Sequence, residues 1–199
     1  GLFDDEIEPV VVKTRRDTTT IFKDEEPEKC DIDKIPSMRP AFDKNGTVTA
    51  ASSSSISDGA ASLIIMSADE AESRGLEPLA IIRGHKRHSQ EPEWFTTANI
   101  GAIDKLHKKL DWNKDLVDLY EINEAFACVT MAAMTDLDID HNKLNIHGGA
   151  CALGHPIGAS AARILITLIY ALKANKGKRG IASACNGGGE AVAIAIEIP

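Results

Sequence analysis

The sequence predicts a layered α/β domain, on three observations. From residue 58 onward, apolar runs of strand length alternate with segments whose apolar positions recur at helical spacing. The last two apolar runs are joined by Asn186-Gly187-Gly188-Gly189, which suits a tight turn because glycine accepts positive φ without a side-chain clash. Between them and the rest, Asn145 to Ile164 carries Gly148, Gly149, Gly154 and Gly158 directly ahead of an apolar helix, and so sets one histidine, His155, in a glycine-rich turn.

Taken in order, residues 1–57 are rich in charge and turn formers, among them Asp17-Thr-Thr-Thr20, Lys23-Asp-Glu-Glu-Pro27 and the serine run Ser52 to Ser55, and they predict an irregular lobe. Residues 58–199 form the layered domain. The apolar continuity from Asp58 to Met66 predicts a buried strand. Ser67 stands three residues before Glu70 in capping-box spacing, and with Gly75 as a stop it brackets a short helix. Leu79-Ala-Ile-Ile82 predicts a strand. Ile103, Leu106 and Leu110 line one face of a helix over 100–110, with Lys105, Lys108 and Lys109 on its wet side. Leu116 to Ile122 reads as a strand, and Glu124 to Met134 as a helix whose alanines permit close packing, so Asn123 falls at a strand-to-helix junction. A strongly apolar helix from Ser160 to Lys173 and strands at Gly180–Ala184 and Glu190–Ile198 complete the domain.

Composition excludes several function classes. A net charge of -8 argues against a general nucleic-acid binder, which needs a basic surface to replace counterions on phosphate. No run approaches the ~20 apolar residues of a membrane span, and the first residues lack the basic and apolar regions of a signal peptide. A cytoplasmic protein is the expectation. Cys30, Cys128, Cys151 and Cys185 are widely spaced, with no C-x-x-C pair to hold zinc or found a disulfide framework, so reduced thiols and no metal are expected. The chain begins at Gly1 without a methionine, as a piece of something longer would.

Three chemical groups stand at the ends of regular elements. Asn123 offers a donor and an acceptor, His155 exchanges a proton near neutral pH, and Cys185 is a soft acid or base once its thiolate is stabilised. Singly, each has an ordinary structural explanation: an N-cap, a satisfied buried imidazole, a small core residue. Their flanks differ from that background. Gly148-Gly149, Gly154, Gly158 and Gly187-Gly188-Gly189 clear side chains from around all three, as a long substrate approaching the backbone requires. His147, His85 and His88 lack such surroundings and read as surface or structural groups.

In this order, Asn123-Glu-Ala-Phe-Ala127, the Asn145–Ile164 stretch and Cys185-Asn-Gly-Gly-Gly189 closely resemble the C-terminal half of a thiolase. The likeness extends back through Gly46-Thr-Val-Thr-Ala50 and Met38-Arg-Pro-Ala-Phe42 to Val11–Arg16. It implies a thiolase-like layered fold: a C-terminal α/β domain with part of the CoA-binding loop lobe. It also implies acyl transfer between acyl-CoA and CoA or acetyl-CoA through a covalent acyl-cysteine, with no tightly bound cofactor. By the resemblance, His155 draws the proton from the nucleophile and helps hold a thioester oxygen, beside Asn123 acting through a bound water. Cys185 takes the α-proton of the second acetyl-CoA, and the Gly187 N–H donates to the hole that serves the acyl-enzyme. Phe42, Ala50 and Ser54 fall where thiolases contact coenzyme A. The nucleophilic cysteine belongs to the family's N-terminal half and has no counterpart in these residues, so the chain is expected to be inactive alone, to associate with an N-terminal half, and to form a homo-oligomer in the whole protein.

The chain departs from the family pattern at Ala51-Ser-Ser-Ser-Ser55, which lacks two usual glycines and bears on the CoA contacts, and at Asn186, Glu190 and Ala161. A carboxylate beside Cys185 would raise the thiol's pKa, so Glu190 is predicted to face away. A non-enzyme alternative is a degenerate half that keeps CoA affinity or a subunit contact without turnover. Ketoacyl synthases share the fold, but generally carry histidines where this chain has Cys185.

Overall fold

The computed structural model describes residues 1–199. Its centre is a four-stranded sheet in the order β3-β6-β5-β4, made of β3 (Ile81–Ser89), β4 (Leu119–Ile122), β5 (Arg179–Asn186) and β6 (Glu190–Glu197). β3, β6 and β5 are antiparallel, and β4 lies parallel to β5 with Ile122 opposite Ser183. Gly189, at φ +84°, closes the predicted turn between β5 and β6.

Helices cover both faces. α2 (Ala98–Leu110) and α3 (Ala127–Leu137) lie on one side, where Ile103, Leu106 and Val129 meet Ile122, Ile181 and Ala193. α5 (Ser160–Ala174) lies on the other, with Ile164, Leu168 and Leu172 against Leu119, Ala182 and Ile196. Gly180 permits its close approach: a Cβ there would stand 2.8 Å from Leu168 Cδ1. Truncating a buried leucine such as Leu168 costs about 2–5 kcal/mol in general, so each layer is held by burial. Two short helices, α1 (Ala68–Ser73) and α4 (Ala150–Leu153), complete the set. In α1 the predicted cap is present, Ser67 accepting a hydrogen bond from the Glu70 N–H at 3.2 Å.

β4 ends the sheet, yet every residue in it is buried, because the chain at 144–147 runs along its free edge. Asn145 takes the place of a strand there. Its Oδ1 accepts from the Ile122 N–H at 2.8 Å, and its Nδ2 donates to the Ile122 carbonyl and to Glu124 Oε1, both at 2.9 Å.

Three expectations need correction. Asp58–Met66 is not a buried strand: it has no ladder partner, and Ile64 and Ile65 are 86% and 70% exposed. α3 starts at Ala127 rather than Glu124, because Asn123 to Phe126 remain outside the helix, Phe126 at φ -143°. The predicted strand Leu79–Ile82 is the beginning of the nine-residue β3. Residues 1–57 are mostly irregular, with short 3-10 turns, but include an antiparallel hairpin of β1 (Val10–Lys13) and β2 (Thr18–Ile21), exposed along both strands. No helix is long and apolar enough to cross a membrane.

Candidate functional site

Asn123 follows β4 directly. Its N–H donates to the Ser183 carbonyl at 2.9 Å, extending the β4–β5 ladder by one bond and fixing the side chain's direction. Residues alternate across a strand, so Leu119, Glu121 and Asn123 turn toward the α5 side. There the buried Asn123 Nδ2 lies 3.4 Å from His155 Nε2, while its Oδ1 is buried without a protein partner and is free to accept from a water or a substrate.

The imidazole is held from three sides. The His155 N–H donates to the Ser55 carbonyl at 2.7 Å, and Gly154 before it adopts φ +85°, where a Cβ would collide with Ser57 Oγ. The ring's Nδ1 is 2.6 Å from Ser160 Oγ at the start of α5. Ser160 directs its own hydroxyl to the Pro156 carbonyl at 3.1 Å, so it accepts from the ring. The proton therefore sits on Nδ1, and Nε2 presents a lone pair toward Asn123. Burial, and then the positive charge of Arg163 one turn along α5, hold the imidazole's pKa below its ordinary value. A neutral base results.

Cys185 stands one residue before the end of β5, half-buried. Burial pushes its thiol up. His155 and Cys185 share a cavity of about 510 Å³ with Gly187, Phe95, Ala125 and Ile157. At Gly187 no atom lies within 4 Å of the place a Cβ would take, so its backbone is open to the cavity. Glu190 is exposed and accepts from Asn186 Nδ2 at 3.2 Å; it lines the same cavity, but pairing with Asn186 places it on the face of the sheet opposite Cys185, in keeping with the expectation that it faces away. Cys151 is chemically quiet: burial and the Glu124 carboxylate push it up to about 12.

The three residues suspected of coenzyme A contact lie to one side. Ser54 is occupied structurally, its hydroxyl donating to the Ala125 carbonyl at 3.0 Å and so tying the serine run to the Asn123–Ala127 segment. Phe42 is exposed and meets Phe126 edge-on at 6.0 Å between ring centroids; Phe126 in turn meets Phe95 of the cavity wall at 6.3 Å. Ala50 is exposed in a 3-10 turn.

Sequence reasoning missed Ser160 and Phe95. Ser160 reads as an ordinary helix-start serine, although its spacing of five from His155 was available as a signal; Phe95 lies in a 3-10 turn with no periodicity. A deeper cluster was also missed. Glu121 is almost wholly buried, and burial raises its carboxyl to about 8 against the pull of Arg163. Glu121 Oε2, Glu6 Oε1 and two Arg163 nitrogens are buried without hydrogen-bond partners. No group of three or more His, Cys, Asp or Glu side chains is arranged to hold a metal ion.

Comparison with known proteins finds two family models along the chain, thiolase N-terminal domain over residues 1–69 and thiolase C-terminal domain over residues 76–198. A probable acetyl-CoA acetyltransferase of Dictyostelium discoideum is 50% identical over 99% of this chain and 48% of its own length. The crystal structure of the Bacillus anthracis acetyl-CoA acetyltransferase superposes with a TM-score of 0.96 at 42% identity, covering 100% of this chain and 51% of that one. A thiolase from Ascaris suum, solved in complex with coenzyme A, gives 0.88 at 36% identity, covering 100% and 50%. The chain thus spans about half the length of the relatives it matches. Because both domain models match, the expectation of a C-terminal half alone is too narrow: residues 1–69, including the unpaired 58–66 segment, carry N-terminal-domain sequence.

Proposed function

The chain belongs to the thiolase family, and from that premise we propose that it supplies the proton-handling side of an acetyl-CoA acetyltransferase site. The observation that carries the reading is the Asn123–His155–Ser160 chain of contacts opening into the cavity that holds Cys185. Acyl transfer through a covalent acyl-cysteine needs a base for the nucleophilic thiol and donors for the developing oxyanion, and joining two acetyl units needs in addition a base for the α-proton, all within one pocket.

His155 Nε2 is the lone pair that receives the proton of a nucleophilic thiol. Once protonated it donates to the thioester oxygen, with Asn123 assisting through water on its free Oδ1. Cys185, as thiolate, removes the α-proton of the second acetyl-CoA and returns it in the cleavage direction. The open Gly187 N–H donates to the oxyanion of the acyl-enzyme; one such donor is worth about 10²- to 10³-fold in rate. Phe42, Ala50 and Ser54 form the rim past which coenzyme A enters, within a lobe of residues 1–57 laid over the layered domain of residues 58–199.

The acyl-carrying cysteine comes, in this reading, from the half of the relatives' length that the chain does not span. Of the four cysteines here, Cys30 and Cys128 are exposed, Cys151 is held protonated, and Cys185 already has a role. Two surfaces support a partner half. Ile64 and Ile65 are apolar, exposed and unpaired, and beside α5 a groove of about 950 Å³ leaves Val192 and Ile194 of β6 uncovered. In the same reading the complete protein is an oligomeric enzyme, and its proposed compartment is the cytoplasm. The test is to mix the chain with the N-terminal half of a thiolase and assay thiolysis of acetoacetyl-CoA. Turnover by the mixture and none by the chain alone is expected; turnover by the chain alone, or none by a mixture shown to associate, rejects the reading.

A further inference from the structure

Asn99, in the first turn of α2, is wholly buried, and nothing above uses it. Its Oδ1 accepts from Ser183 Oγ at 2.7 Å, and its Nδ2 is buried without a hydrogen-bond partner. An unpaired buried amide N–H generally costs about 1–3 kcal/mol, and native structures carry few of them.

Register indicates where that N–H points. Ser183 and Cys185 are two residues apart on β5, so both project from the same face of the sheet, the face that packs against α2. With Oδ1 tied to Ser183, the unpartnered end of the amide is left on the face of β5 from which Cys185 also projects. The Ser183 hydroxyl is shared between Asn99 Oδ1 and the Val192 carbonyl at 2.9 Å, so the anchor is itself fixed to β6. We propose that Asn99 donates its side-chain N–H to Cys185 and steadies the thiolate, acting as a positioning residue for the proton transfer assigned to that thiol.

Burial opposes ionisation of Cys185, and a donor to sulfur is what counteracts it; an N–H from Asn99 would lower the thiol's pKa against that burial. Other groups around the thiol do less in that sense. Cys128 on α3 disfavours the thiolate, and Glu190 on β6 lines the same cavity but is paired with Asn186 on the opposite face of the sheet. His155 is neutral, while Arg87 and His88 of β3 line the same cavity. α2 contributes no charged group in its first turn.

The inference rests on Cys185 as the working thiol, but its test reads the thiol rather than turnover, so the two can fail separately. Iodoacetamide alkylation of each cysteine, resolved by peptide mass spectrometry across pH 6–10, is compared between the parent chain and Asn99→Leu, which matches the volume and leaves Ser183 its bond to Val192. At pH 8, Cys185 alkylation is expected to fall about tenfold, with its rise displaced to higher pH, while Cys30 and Cys128 serve as unchanged references. An unaltered Cys185 profile in a folded variant overturns the proposal. So does faster alkylation, which would mean that the amide presents its oxygen to the thiol. If Asn99→Leu does not fold, Ser183→Ala decides: release of the anchor slows Cys185 in the same direction, and an unmoved profile rejects the idea.

Discussion

His155 shows how much of a candidate site residue the sequence can disclose. Its glycine-rich turn and family likeness marked it, because Gly154 at φ +85° and the missing side chains around it leave a pattern in the residues themselves. Ser160 and Asn99 left none. One looks like any serine at a helix start; the other matters only through the packing of α2 over β5, a register no local pattern encodes. Ser160 fixes the Nδ1–H tautomer, so in the assembled enzyme Ser160→Ala should lose part of the roughly 10²- to 10⁴-fold that a general base provides, and His155→Ala all of it, as read by kcat in the thiolysis assay. Since His155 titrates below its ordinary 6.5, the acid limb of kcat/KM should lie below that value. Glu121 gives a prediction of stability. Its folded pKa, about 8, exceeds the ordinary 4.5, so between these values the folded chain keeps a proton that the unfolded chain releases, and this contribution is lost as pH rises through about 8. Glu121→Gln should therefore gain more stability over the parent at pH 9 than at pH 6 in denaturant titrations; an equal difference at both would contradict the assignment.

At the scale of elements, α2, α5 and the terminal hairpin were legible, since each buries one face and its periodicity records that. The apolar continuity of Asp58–Met66 predicts a buried strand, yet a strand also needs a ladder partner, and none lies within these residues. The β1–β2 hairpin escaped for the opposite reason: exposed along both strands, it has no buried face to impose alternation. The edge of β4 was invisible as well, because a single side chain, Asn145, substitutes for a neighbouring strand. Asn145→Ala removes three hydrogen bonds and leaves the Ile122 backbone groups unpaired in a buried setting. A loss of about 2–4 kcal/mol in urea unfolding is expected. Because Asn123 hangs from the same strand end, the variant should also weaken the Asn123–His155 contact, visible as a changed His155 ring shift by NMR.

For the molecule as a whole, the proposed reading is of a site divided between two bodies of sequence. Asn123, His155 and Cys185 lie at sheet ends and a turn before a helix that fold together here, while Ile64, Ile65 and Val192 are apolar and exposed. The proposed function stands on Asn123, His155 and Cys185 acting on one thioester, the first two at its carbonyl oxygen and the thiol at its α-carbon, and hydrogen exchange at that carbon separates the outcomes. Acetyl-CoA is incubated in deuterium oxide with the chain assembled on a thiolase N-terminal half, and deuterium uptake is followed by NMR. Rapid uptake by the assembled protein is expected, abolished by Cys185→Ser and strongly slowed by Asn123→Ala and His155→Ala. Uptake that survives Cys185→Ser in a folded, assembled protein overturns the assignment.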